Sequence, residues 1–324
     1  MTRFNLFRRA TLIAALACAG SVSFAQSVKL TLGHGAAPGN PRHEASVKFA
    51  EVVKAKSAGR IEVQVSPSAQ LGDDAAMITA LRTGALDMSA NSQGAVAAAV
   101  PEYAAFGMPF LFANLPQAWK LLDSPVGKEL ADKSAEKGMI VLGYWDNGIR
   151  HMSNSKKPIL KPEDMKGLKM RTPPDAVTVD IMQSLGAEAQ QIKFAELYVA
   201  LQQGVVDGQE NPLMNVHASK LYEVQKFISL TGHKYEMTPF LMSKRTWDKL
   251  SEADKKGDIL TVNDKFLQVS KYPKNELIGF GHNTTRHPDM PKETFKQMWA
   301  TIGRGGMVRG VMKSRAEDGA PYDG

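Results

Sequence analysis

Short alternating runs of apolar residues recur along most of the chain, separated by amphipathic stretches. Val28 to Leu32, and then Ile61, Val63 and Val65, keep the period of two that a strand requires. Between them His43 to Ser57 repeats in the helical period, with Phe49, Val52 and Val53 on one face. Asp73 and Asp74 are placed to cap a helix through Met77 and Leu81, and Leu86 to Met88 reads as a short strand. This βαβα rhythm predicts parallel strands covered by helices. A stretch bounded by Pro101, Pro109 and Pro116 leads into a helical pattern from Gln117 to Lys137 and an apolar strand from Met139 to Gly143. A second series starts at Arg150, with a strand from Leu168 to Met170, helices from Asp175 to Leu185 and from Phe194 to Gln203, and a strand from Met237 to Met242. Helical patterns follow Lys244 and Ser251, Pro291 to Trp299 predicts another short helix, and Gly303 to Gly324 reads as a loosely ordered tail. Two similar series without a repeat of fixed period predict an α/β protein of two lobes.

Residues 1–25 stand apart from this pattern. Arg3, Arg8 and Arg9 precede an apolar run from Leu12 to Gly20, and Ser23, Phe24 and Ala25 lead to a cut before Gln26, which is the form of an export signal. The full chain of 324 residues has 40 basic and 33 acidic groups, a net charge of +7; removing the signal takes away three arginines and no acid and leaves +4. That modest excess argues against a nucleic-acid partner. The one cysteine, Cys18, lies inside the signal, so the exported chain is expected to have neither disulfides nor thiolate chemistry. Beyond the signal no stretch approaches the ~20 apolar residues of a membrane span, and a soluble exported protein is expected.

Enzymatic motifs are scarce. Gly33-His34-Gly35 after the first strand resembles the start of a dinucleotide fingerprint, but Pro38 stands where the third glycine belongs. The chain holds no GxxxxGK, HExxH or GxSxG motif, and its seven histidines are scattered, so neither cofactor nor metal is expected. Polar residues placed where strands end carry more weight, because ligands of open α/β sheets lie beyond the carboxyl ends of their strands. Arg171 closes the run Leu168 to Met170 and is followed by Thr172, Pro173 and Pro174, a rigid turn that could hold a guanidinium at a crevice; a solvated surface arginine is the alternative. Arg150, just after Trp145 to Gly148, carries the same ambiguity.

Four segments in order decide the matter: Ser68 to Asp74 (SAQLGDD), Asn147 to Asn154 (NGIRHMSN), Gly167 to Pro173 (GLKMRTP) and Phe194 to Pro212 (FAELYVALQQGVVDGQENP). Together they closely resemble the substrate-binding subunit of TRAP transporters, the DctP family, over about Val28 to Lys256, with the DGQENP stretch the most specific part. The resemblance implies a periplasmic, two-lobed α/β clamp with a mostly parallel sheet in each lobe and a ligand cleft between them. It would be a monomer that binds an organic acid without turning it over and delivers it to a permease of one small and one large membrane subunit. Residues 26–147 with 237–276 would form the first lobe, and 148–236 with 277–324 the second.

Carried over by motif, the central carboxylate-binding arginine falls on Arg171, its supporting arginine on Arg150, the site asparagine on Asn211 and the site aromatic on Phe194; the first lobe would add His34, Asp74, Asn91 and Gln93. Without the family, Phe194 and Tyr198 would read as core, Asp207 to Asn211 as a turn and Asp74 as a helix cap. Asn91 to Gly94 and Tyr144 to Gly148 further resemble the uronate-binding branch, which makes a hexuronate such as D-glucuronate or D-galacturonate the expected ligand, with Trp145 offered to the sugar ring. A C4-dicarboxylate is the alternative: its second carboxylate would approach Asp74 unless Arg42 neutralised it. A receptor-feeding sensor protein would use the same fold, and an exported hydrolase using Asp74 and Asp146 as acid and base is the rival of a different class.

Overall fold

The computed structural model describes residues 28–251, 254–255, 313–315 and 321–323. The expected signal at 1–25, the helix at Pro291 to Trp299 and the tail from Gly303, apart from two short paired strands, lie outside the described residues. From the N-terminus the elements are β1 (Val28–His34), α1 (Pro41–Lys56), β2 (Ile61–Ser66), α2 (Asp74–Thr83), β3 (Met88–Ala90), α3 (Gln93–Ala97), α4 (Leu115–Leu122), α5 (Pro125–Glu136) and β4 (Met139–Asn154). Then follow β5 (Lys169–Thr172), α6 (Ala176–Ser184), β6 (Glu188–Gln191), α7 (Leu197–Gln202), β7 (Gly208–Pro212), α8 (Leu213–Ala218), β8 (Phe227–Ser243) and α9 (Lys244–Lys249).

Eight strands form one mixed sheet in the order β2-β1-β3-β8-β4-β7-β5-β6. Its two ends are parallel, β2-β1-β3 on one side and β7-β5-β6 on the other. Between them β4 and β8 run antiparallel to each other and to their outer neighbours. The parallel groups match the expected βαβ units, but they are joined in one sheet by two strands far longer than Met139 to Gly143 and Met237 to Met242 suggested. β4 continues straight through Trp145 to Gly148, which reads as a connection in the sequence. It does so because the ladder slips register between Asp146 and Gly148, where Gly148 takes φ +115°, a backbone form closed to most side chains.

Local sequence explains the helix boundaries. Asn40 accepts from the Arg42 backbone N–H at 2.9 Å and Pro41 opens α1. Asp73 caps α2 by accepting from the Ala76 N–H at 2.9 Å, and Gly84 ends the helix at φ +81°. The single helix expected over Gln117 to Lys137 is two: Asp123 closes α4, and Ser124 with Pro125 starts α5.

Each half of the sheet is covered on both faces. Alternate residues of β8 serve opposite cores: Tyr235, Met237 and Leu241 pack with Met77, Leu81 and Tyr103, while Phe240 and Met242 pack with Leu32 and Met88 under α1. In the other half Met152, Met170 and Met182 form one core, and Leu197, Leu201 and Val216 another. Glycine is required where β7 enters: a Cβ at Gly208 would lie 2.3 Å from the Ser153 carbonyl oxygen.

Candidate binding site

The carboxyl end of β5, between β7 and the edge strand β6, presents Arg171 level with Gln209 of β7. Pro173 and Pro174 follow at once, so the chain cannot continue the strand. Arg171 is only 2% exposed. Its Nε donates to the Ile192 carbonyl oxygen at 2.8 Å, and its guanidinium carbon lies 5.8 Å from the ring centre of Phe194. Its terminal nitrogens meet no carboxylate among the described residues. Burial pulls this arginine down to about 10, with Glu210 opposing and Arg150 reinforcing the effect, so it stays charged at neutral pH. A buried guanidinium fixed by its Nε, with the forked end unpaired, is a receptor for a carboxylate.

Arg150 differs. It is 3% exposed on β4, where its Nε bonds Glu210 and its Nη1 bonds Glu236. Its Nη2 reaches Glu210 Oε1 at 2.6 Å, the Glu210 carbonyl at 2.7 Å and Asn211 Oδ1 at 3.4 Å. Arg150, expected as the supporting arginine, is committed to two glutamates and props β7 against β4 and β8. Burial alone would raise the Glu210 carboxyl, but the Arg150 guanidinium outweighs it and holds that carboxyl well below the usual range. Asn211 stands in the same network, donating to Gln209 Oε1 at 2.5 Å and accepting from Asn215 at 3.1 Å.

From the other half of the sheet comes Asp74. Because Asp73 alone caps α2, Asp74 is free to accept from Asn91 Nδ2 at 3.0 Å and from the Ser92 N–H at 3.1 Å. Its charge is felt by both Arg42 and Arg171, so the two halves face one another across the site. They also touch: Asn40 donates to Asn215 Oδ1 at 2.8 Å, and Lys193 pairs with Asp73 at 2.9 Å. Two expected ligand residues are turned elsewhere. Gln93 Oε1 accepts from the Met237 backbone N–H at 3.0 Å, bracing β8. Trp145 stacks on Phe240 at 4.3 Å because the unbroken strand aims it into the core under α1. The proposed catalytic pair is not assembled either: Asp146 accepts from Trp119 and Tyr235, a set of partners separate from those of Asp74.

His34, at the end of β1, is fully buried; its Nδ1 accepts from the Ala36 N–H at 3.2 Å. Burial first, then the charges of Arg42 and His43, pull it from 6.5 down to about 4. The unfolded chain thus takes up a proton before the folded one as pH falls. Stability should decline from pH 6.5 to about 4 on this account, by at most roughly 3 kcal/mol. Urea midpoints across that window should flatten in His34→Gln, and an unchanged slope would remove His34 as the source.

Sequence reasoning missed Glu210, Glu236, Asn215 and the buried pair of Lys234 with Asp175. Glu210 lies within the DGQENP stretch, and its place inside the most specific motif was the available signal. Glu236 and Lys234 are single charges in a long strand, and only the pairing of β8 with β4 brings them to the site.

Comparison with known proteins agrees with this architecture. The family model of bacterial extracellular solute-binding proteins, family 7 (DctP), matches residues 32–262. An uncharacterized protein of Sinorhizobium fredii, y4mM, is 58% identical over 233 residues, covering 72% of this chain but only 42% of that protein's length. Among solved structures, the sugar acid binding protein DctPAm of Advenella mimigardefordensis, in complex with galactonate, is 39% identical with a TM-score of 0.70 and covers 72% of this chain and 75% of that one. A TRAP periplasmic solute-binding protein of Sulfitobacter sp. NAS-14.1 with bound β-D-galacturonate is 34% identical with a TM-score of 0.69, covering 71% of this chain and 76% of that one. With a match across most of its length and the same fold in solute-binding proteins of known structure, the chain belongs to the DctP family of TRAP solute-binding proteins.

Proposed function

We propose that the chain is the periplasmic binding subunit of a TRAP transporter for a sugar acid, with a hexuronate such as D-galacturonate or D-glucuronate the favoured ligand. The observation that carries this reading is Arg171, buried, aimed by the Ile192 carbonyl and without a carboxylate of its own among the described residues. A ligand carboxylate would complete it bidentately, with Phe194 beside it and Asn211 nearby. Relatives that bind galactonate and galacturonate support the ligand class. The balance of charge favours one carboxylate over two: once Arg171 holds the first, a second anionic group brought towards Arg42 would meet the negative charges of Asp74 and Glu236 that already act there.

The first lobe on this reading holds 26–147 and begins again at 237, the second holds 148–236, and the hinge falls at the register slip between Asp146 and Gly148. Closure carries the ligand to a permease of small and large membrane subunits. Calorimetry should give heat with galacturonate or glucuronate and little with succinate or malate. Micromolar binding of succinate or malate, with no heat from either uronate, would reject the assignment in favour of a C4-dicarboxylate.

A further inference from the structure

Arg42 is the second residue of α1, two places beyond Asn40, whose side chain bridges to Asn215 in the opposite half of the sheet. That position sets Arg42 where the two halves meet. Its Nε is sealed from solvent and has no acceptor among the described residues. Among the described residues no ion pair within 4.0 Å and no side-chain hydrogen bond engages this guanidinium, although its backbone N–H is used by the Asn40 cap. A shielded donor without an acceptor is costly, and it marks a place where an oxygen is wanted.

The charges around it say which oxygen. Asp74 is the strongest negative charge acting on Arg42, Glu236 is next, and Arg150 opposes both. A carboxylate brought here would be attracted by Arg42 and repelled by two acids. A hydroxyl meets no such conflict, because its oxygen accepts from a guanidinium while its proton goes to a carboxylate. Asp74 has room for that proton: its two oxygens hold one bond each, from Asn91 and from the Ser92 N–H, and a carboxylate accepts about four.

Resting on the sugar-acid reading above, we infer that Arg42 and Asp74 together read a hydroxyl group at the end of the ligand remote from its carboxylate. The guanidinium donates to the hydroxyl oxygen and Asp74 accepts the hydroxyl proton. Arg171 then fixes the acid end from one half of the sheet, and this pair measures the polyol end from the other. A closed cleft with both groups filled requires a ligand that is an acid at one end and an alcohol at the other.

Calorimetry of the full chain and of Arg42→Ala with D-galacturonate, D-galactonate and succinate tests this. The α1 cap is made by backbone and Asn40, so the helix start should survive the substitution, and a thermal melt checks it. The hydroxylated acid that the unaltered chain binds best should lose roughly ten- to a hundredfold in Arg42→Ala. Arg42→Gln, which keeps a donor, should lose less, and it carries the test if the alanine chain fails to fold. An affinity for the hydroxylated acid unchanged within twofold would overturn the inference while leaving the sugar-acid reading in place. Tight succinate binding that disappears in Arg42→Ala would overturn it by making Arg42 the partner of a second carboxylate. No binding of either hydroxylated acid by the unaltered chain would overturn it together with the proposed function.

Discussion

Arg171→Ala should weaken binding of the sugar acid by about 2 to 5 kcal/mol, roughly 30-fold to several thousandfold, since the ligand carboxylate would enter a dry site with no opposite charge. Arg171→Lys should recover little of this, because an ammonium is a point charge and cannot supply the two parallel donors of a guanidinium. The same replacement should leave the ligand-free chain as stable as before, or more so. Among the described residues Arg171 is buried without a carboxylate, and its one hydrogen bond there, to the Ile192 carbonyl, does not offset the loss of water around the charge. Opposite signs in the two measurements, weaker binding and an undiminished urea midpoint, are the signature of a residue kept for its ligand. Near-normal affinity in both variants would end this role for Arg171.

Glu210→Ala should be the most destabilising single change near the site, by about 3 to 5 kcal/mol, because it strips a fully buried arginine of one of its two acids. The Arg150 guanidinium bonds Glu210 through Nε and Nη2, and Glu236 through Nη1 alone. Burial at 0% exposure leaves Glu210 no water to replace those bonds, and none would reach Arg150 in its absence. Glu210→Gln, which keeps the shape and an acceptor, should lose less. The exposed pair Lys128 with Asp132 gives the control, since breaking it should cost under about 1 kcal/mol. A urea midpoint for Glu210→Ala close to that control would show that the cluster is not held together by this charge.

What could be read from the sequence follows how locally each feature is encoded. The place of Arg171 at a strand end is legible because the strand, the arginine and the two prolines are consecutive, but its burial is not, since a solvated surface arginine fits the same run. The parallel ends of the sheet were legible for the same reason, each βαβ unit being one continuous stretch. Asp74 was half legible: two adjacent acids could each cap α2, and only the backbone decides that Asp73 does so and frees its neighbour. Trp145 and Gln93 were misplaced because their surroundings are set by β8, far along the chain, where Phe240 and the Met237 N–H receive them. Glu236 and Asn215 gave no signal at all. A single acid in a strand and a single amide in a short helix acquire meaning only when pairing across the sheet sets them beside Arg150 and Asn211.

The two central strands also govern how the chain must fold. β4 leaves the first half of the sheet and enters the second, and β8 makes the return journey some 75 residues later, so the first half is assembled from two separated parts of the polypeptide. β3 can pair with β8 only after everything between Ala90 and Phe240 has been made, since those two residues are partners in the ladder. Such pairing across long stretches of sequence slows folding, because the loop must close before the contact rewards it. It also denies each half an independent existence. Unfolding should therefore appear as one transition by every probe.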